Sequence, residues 1–274
     1  MLEEYLTRVR DRAPLVQCIT NFVTVNDCAN VLLAAGASPT MAHCREEAAE
    51  VTEHCQALVL NLGAVEWREA MLLAGRRANE LGIPVVLDPV GVGTTSLRRR
   101  TAAELLDQVK FAVIRGNASE IRALALGSAG GSGVDVSAAD AVTEENLPRA
   151  AELVRMLARR TGAAAALSGV IDVIGDGTRT AVLRNGCASM ARITGSGCML
   201  AALTGAFCAA APEEPFLAAA AAAAVMDRAG ELAEARRLKN GTGTATFRTD
   251  FIDAVSNLTP EQLKEGLRCE IYQR

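Results

Sequence analysis

The chain has 274 residues, 50% of them hydrophobic and 22% charged, with a formal net charge of −4 at pH 7. That length and apolar content can bury one large core, and no linker-like stretch divides the chain, so a single domain over residues 1–274 is expected. The mild acidity provides no basic field to draw nucleic acid or an anionic membrane, which leaves small molecules as the expected partners.

The opening stretch "MLEEYLTRVRDRAP" mixes acids and bases and lacks the apolar core of a signal peptide. The eight cysteines, at 18, 28, 44, 55, 187, 198, 208 and 269, contain no C-x-x-C pair and read as reduced thiols, so a cytoplasmic protein is expected. "PLVQCITN" reads as a first strand, followed by a helix over 26–35. The charged segment "HCREEAAEVTEHC" suits a solvated helix as the home of His54. A zinc site from His43, Cys44, His54 and Cys55 lacks the usual ligand spacing.

The next three units repeat one pattern. "ALVLNLG" precedes a helix over 66–81, "IPVVLDPVG" one over 97–108, and "FAVIRGN" one over 118–126. Strand, loop and helix in alternation predict a parallel sheet covered on both faces. "GSAGGSGVDVSA", 127–138, reads as an exposed connector, with a flap over a nucleotide as the alternative. A helix over 144–161 leads to "AAAALSG", a further parallel strand rich in a poor strand former. "VIDVIGDGTRTAVLRNG" has the punctuation of a hairpin and predicts an antiparallel edge. From about 198 the pattern is helical, with breaks at Pro212 and at 239–245. "PFLAAAAAAAVMD" is too short to span a bilayer and reads as a tightly packed buried helix. The expected architecture is α/β, a mainly parallel central sheet flanked by helices, with a short antiparallel edge and a helical C-terminal layer.

In open parallel sheets, ligands bind beyond the carboxyl ends of the strands. Just past the predicted strands stand Asn21, Asn61, Asp88, Arg115 with Asn117 and Glu120, Ser168 with Gly169, and finally the turn 194–198. Asp88, followed by Pro89, is a carboxylate suited to a hydrated Mg²⁺, or a simple turn acid. Asn117 and Glu120 have the spacing of a capping box. Capping does not account for Arg115, whose fork suits a phosphate at the end of an apolar strand, unless a neighbouring acid pairs with it.

In "RITGSGCMLAALTGAF", Gly195 and Gly197 permit close backbone approach, and the amides of Thr194 to Cys198 open a helix whose dipole favours an anion. The same turn also serves as a plain lead into a packed helix. The dipole is expected to favour a thiolate at Cys198. A Cys-His hydrolase pairing Cys198 with His43 is a rival on the same residues. Leu200 in the third glycine position breaks the dinucleotide fingerprint, and no Walker motif is present.

The segments "QCITNFVTVNDCANVLLAAGASPTM", "VVLDPVGVGTT", "IRGNASEI", "LSGVIDVIGDG" and "NGCASMARITGSGCMLAALTGAF" run in order over about residues 15 to 210 and resemble the hydroxyethylthiazole kinases of the ribokinase-like superfamily. The resemblance implies a ribokinase-like fold and ATP-dependent phosphorylation of 4-methyl-5-(2-hydroxyethyl)thiazole toward thiamine. It also implies a homotrimer with active sites at subunit interfaces. Matched positions imply Met41 at the thiazole, Arg115 and Ser168 at ATP, Gly195 at substrate and Cys198 beside the reacting hydroxyl. Asp88 and Glu120 fall where the superfamily organises Mg²⁺ and phosphates. Asn117, Thr194 and Gly197 are expected at the nucleotide, and Asn21, Val23 and Asn26 along the thiazole pocket. The family usually has Thr where this chain has Ser168 and Ser196, which keeps the hydroxyl and loses a methyl. Ribokinase relatives commonly carry an aspartate base at the position of Cys198, and cysteine there marks the thiazole kinases. Rival readings are a related kinase for another small alcohol, such as hydroxymethylpyrimidine, and a non-catalytic nucleotide-responsive binding protein.

Overall fold

The computed structural model describes residues 1–127 and 141–273, so residues 128–138 of the glycine-serine stretch lie outside the described residues. The first part runs α1 (Glu3–Arg12), β1 (Leu15–Ile19), α2 (Val25–Ala35), β2 (Ser38–Thr40), α3 (Ala48–Thr52), β3 (Ala57–Asn61), α4 (Arg68–Glu80) and β4 (Val85–Asp88). The middle holds α5 (Ser96–Gln108), β5 (Val113–Asn117), α6 (Ala118–Leu126), α7 (Leu147–Thr161), β6 (Ala164–Ser168), β7 (Asp172–Gly175) and β8 (Arg179–Leu183). The chain closes with α8 (Ser196–Ala210), α9 (Pro215–Asn240), α10 (Thr244–Asn257), α11 (Pro260–Gly266) and β9 (Cys269–Gln273).

Among the described residues the strands form one nine-stranded sheet in the order β2-β1-β3-β4-β5-β6-β7-β8-β9. Pairings from β2 through β6 are parallel, and those from β6 through β9 are antiparallel. Strand alternation divides the interior into two cores. Ala57, Val59, Val86 and Val113 face α1, α2, α8, α9 and α10, while Leu58, Leu60, Val85, Leu87 and Ile114 face α4 to α7. Both faces of the central strands are therefore dry, which explains their uninterrupted apolar runs. The alanine-rich β6 is accommodated because α9 brings its own alanines against the same core, and small side chains on both sides allow close approach.

The antiparallel edge is borne out: the hairpin β7–β8 is antiparallel, and β9 pairs along β8 to extend that side of the sheet by one more strand. β9 departs from the helical pattern expected after 198: "CEIYQ" has no apolar run, four of its five residues are exposed, and β8 supplies the template. His54 lies in the turn just past the short α3 rather than on a helix. Among the described residues no helix is long and apolar enough to cross a membrane.

Candidate active site

Parallel register brings the polar strand ends to one level. Asn61 at the end of β3 sits opposite Asp88 at the end of β4, and Asn117 of β5 sits opposite Ser168 of β6. Asn61 Oδ1 accepts from the Gly63 N–H at 2.7 Å, which orients its amide so that Nδ2 donates to Asp88 Oδ2 at 2.8 Å and to Cys198 Sγ at 3.2 Å. Asn21, just past β1, donates to the same sulfur at 3.4 Å. Two amides thus hold the cysteine between the first and third strands.

Arg115 reaches up from β5 with only 7% of its surface exposed. Its Nη1 lies 3.6 Å from Asp88 Oδ1, and its Nη2 donates to Ser168 Oγ. A Cβ on Gly197 would come within 2.7 Å of Arg115 Nη1, so glycine is what admits the guanidinium beneath the start of α8. Helical geometry leaves the first N–H groups of α8 without intrahelical partners, directly above that cation. Gly195, at φ +84°, ends the lead-in turn, and a Cβ there would meet Thr24 Cγ2 at 2.7 Å. The helix begins at Ser196, earlier than expected, so Cys198 belongs to its first turn.

The electrostatics follow from burial. Asp88 is fully buried, which pushes its carboxyl above the usual range; Arg115 opposes that rise and Glu120 adds to it. Burial, followed by the negative charge of Asp88, pushes the Cys198 thiol up to about 11. The expected dipole-stabilised thiolate is therefore corrected: desolvation outweighs the helix terminus, and the sulfur stays protonated at neutral pH. The hydrolase rival loses support too, because the His43 ring packs tilted against Trp67, centroids 4.4 Å apart, while its Nδ1 lies 2.9 Å from the Met41 carbonyl.

The capping box is realised: Asn117 Oδ1 accepts from the Glu120 N–H at 2.9 Å, and Glu120 Oε2 accepts from the Asn117 N–H at 2.8 Å. Glu120 Oε1 also accepts from the Gly91 N–H at 2.9 Å, tying the loop after β4 to α6. Its placement near Asp88 is structural at both oxygens, each of which keeps a second lone pair. Asp88 Oδ1 is buried without a hydrogen-bond partner. Among the described residues no group of three or more His, Cys, Asp or Glu side chains could hold a metal, so the zinc alternative fails. A buried carboxylate oxygen that has an ion pair but no hydrogen bond, with few other protein ligands, fits Mg²⁺, which keeps most of its shell as water and phosphate oxygens.

Beside this cluster opens a cavity of about 570 Å³, walled by Arg115, Ser168, Asp172, Gly197, Met190 and Asp227 among others. The remaining expected residues lie toward the surface. Thr194 is exposed, as are Val23 and Asn26, and Asn26 Oδ1 accepts from Asn30. Met41 is half-buried against the core of the α8 face. The structure adds residues that no motif indicated. Thr24 packs on Gly195, and Asp27 behind it is clasped by Arg248 of α10, whose Nε donates at 2.7 Å. Asp172 and Asp227 both face the cavity, although their sequence signal was only that of a hairpin residue and of an acid closing an apolar run.

The hydroxyethylthiazole kinase family model matches residues 6–261. The chain is 46% identical to a hydroxyethylthiazole kinase of Clostridium acetobutylicum over 99% of this chain and 100% of the relative. It is 47% identical to one from Desulforudis audaxviator, over 97% and 93%. Among solved structures, the hydroxyethylthiazole kinase of Pyrococcus horikoshii superposes with a TM-score of 0.86 at 36% identity, covering 99% of each chain. An ADP complex of Bacillus subtilis pyridoxal kinase, at 18% identity and a TM-score of 0.58 over 79% of this chain and 91% of that one, shares the fold.

Proposed function

This chain belongs to the hydroxyethylthiazole kinase family, and from that premise we propose how its residues carry phosphoryl transfer from ATP to the hydroxyl of 4-methyl-5-(2-hydroxyethyl)thiazole, a step of thiamine salvage. The observation that carries the reading is Arg115, a buried cation held between Asp88, Ser168 and the first turn of α8. Phosphoryl transfer demands chiefly positioning and charge neutralisation, and this arrangement supplies both. The alcohol oxygen attacks the γ-phosphorus, the bond to the bridging oxygen breaks, and ADP leaves.

Arg115 neutralises the oxygens of the moving group, while the free amides of Gly197 and Cys198 cradle it. Ser168 holds the guanidinium and adds a hydroxyl toward the nucleotide, with Asn117 and Thr194 farther along the same side. Asp88, with Glu120 behind it, would hold Mg²⁺ through water; that ion, when bound, supplies charge neutralisation between the phosphates. Cys198, a neutral thiol fixed by Asn21 and Asn61, positions the hydroxyl and does not act as a thiolate base. A loose transition state leaves the hydroxyl proton in place until the new bond forms, after which it passes to an oxygen of the transferred phosphoryl group or to water, so no base at the sulfur is required.

Val23, Asn26, Met41 and Gly195 line the thiazole side of the proposed site. Phe22 and Val23 are 83% and 57% exposed there, which supports a homotrimer in which a second subunit completes this wall. The whole chain then works as a single catalytic domain, in a cytoplasm suited to its unpaired thiols. A coupled ATP-to-ADP assay with Mg²⁺, with and without the thiazole alcohol, tests the reading. Thiazole-dependent turnover and a product heavier by one phosphoryl group are expected; folded protein without turnover refutes it.

A further inference from the structure

Asp227 is anomalous in its setting. It sits mid-way along α9, whose neighbouring residues Ala218 to Met226 are all buried and apolar, and only 6% of its own surface is exposed. Its side chain faces the 570 Å³ cavity, yet among the described residues no hydrogen bond or ion pair reaches its carboxyl. Burial, followed by the nearby charge of Asp172, raises its proton affinity well above that of an ordinary aspartate. Leaving such a group without a partner is costly, so its retention calls for a donor supplied from the cavity.

The contacts of the two acids order the cavity. Ser168 accepts from Arg115 and the next residue, Gly169, donates its N–H to Asp172 at 2.8 Å, which keeps Asp172 beside the phosphate cluster, whereas Asp227 lies against the Gly186 loop. Val142, Cys187, Met190, Leu200 and Met226 give the same cavity an apolar wall. The nearby polar side chains have other partners. Asn185 donates to Glu231 and to the Gly266 carbonyl and accepts from the Arg268 N–H, while Arg184 pairs with Glu144. A Cβ on Gly186 would lie 3.3 Å from Asp227 Oδ1, so the loop after β8 closes over the carboxyl and leaves the cavity side open.

A cavity with an apolar wall and one buried carboxyl left without a partner, beside a phosphate site, suits a flat aromatic ring carrying an amino group. We propose that Asp227 reads the nucleobase of the triphosphate, accepting a hydrogen bond from the exocyclic amino group of adenine. The inference rests on the kinase reading above and deepens it, making Asp227 a specificity-determining residue of the nucleotide half.

The test compares ATP, purine riboside 5′-triphosphate, which keeps the ring but lacks the amino group, and 2′-deoxyATP. In the unaltered chain, kcat/KM for the purine riboside nucleotide falls at least about tenfold below that for ATP, because the buried acceptor then has no donor. The 2′-deoxy nucleotide stays close to ATP. Asp227→Leu brings ATP down to the purine riboside level without moving the KM for the thiazole, whereas Asp227→Asn, which keeps an acceptor oxygen, preserves the preference. Equal rates for ATP and the purine riboside nucleotide in the unaltered chain overturn the inference even if neither variant folds, as does a loss confined to 2′-deoxyATP. Calorimetric binding of the same three nucleotides without alcohol gives the ranking independently of turnover. A chain that binds in the expected order but phosphorylates no thiazole sinks the kinase reading alone.

Discussion

The two sides of the site are built on opposite principles. Beneath α8, Asp88 and Arg115 are almost wholly enclosed, and the surrounding residues Asn61, Ser168 and Asn21 come from three other segments of the same chain. At the rim, the segment after β1 projects Phe22 and Val23 into solvent, and Asn26 accepts from Asn30 of its own helix. Charge stabilisation requires dipoles fixed before the reaction, which a buried intrachain network provides. Recognition of an apolar ring requires apolar surface, which the exposed Phe22 and Val23 provide at the rim. On the proposed reading, the phosphoryl end is built within one chain, and the alcohol end is completed by a second.

The sharpest way to break that contrast is at Arg115. Arg115→Ala is expected to lower kcat/KM about 10³-fold in the coupled assay, in line with arginines that stabilise transferring phosphoryl groups. Arg115→Lys should recover little, because one ammonium cannot serve Asp88, Ser168 and a phosphate together. Gly197→Ala should cost about 10²-fold in kcat, since its Cβ would force the guanidinium aside, and a shift of about 1 Å has that scale of effect. A Gly197→Ala enzyme with normal kcat would show that the cradle is looser than its packing indicates.

The open side responds differently. Replacing Phe22 and Val23 together by Asp should yield folded monomers by sedimentation, with ATP binding kept and the KM for thiazole raised about tenfold or more. Undiminished assembly and turnover would place the interface elsewhere. Cys198→Ala should reduce kcat about tenfold, and the pH profile of the parent enzyme should show no cysteine inflection below about pH 10, because the thiol is pushed up to about 11.

The smallest expected effect concerns stability. Cys208 is fully buried and its thiol is pushed up to about 12, so the native state keeps a proton that the unfolded chain releases above about 8.5. Its contribution is fully present below about pH 8.5 and declines as pH rises toward 12. Thermal melts between pH 8 and 10.5 should show Tm falling, with a shallower fall in Cys208→Ala.

Legibility in the sequence followed locality. Asp88 and Arg115 stood out because each polar residue closes an apolar strand, and the cap at Asn117 and Glu120 was readable because both partners lie within one turn. Asn61 was visible as a strand end, yet its hold on Asp88 and Cys198 spans 27 and 137 positions and has no local signature. The grip of Arg248 on Asp27 spans 221 positions. Cys198 was legible as a residue at a helix start, where the dipole favours a thiolate, but the desolvation that pushes its thiol up was not, because the helix start is a local feature and burial is not.

By itself, the sequence determined the alternation of strand and helix, the level at which polar groups emerge, and the family, since these depend on periodicity and short motifs. Only the tertiary structure decided the edge strand β9, whose exposed residues acquire their conformation by pairing with β8. It alone decided that Cys198 stays a neutral thiol and that Asp227 faces a cavity, because burial depends on elements that meet only after the sheet has closed between its helical layers.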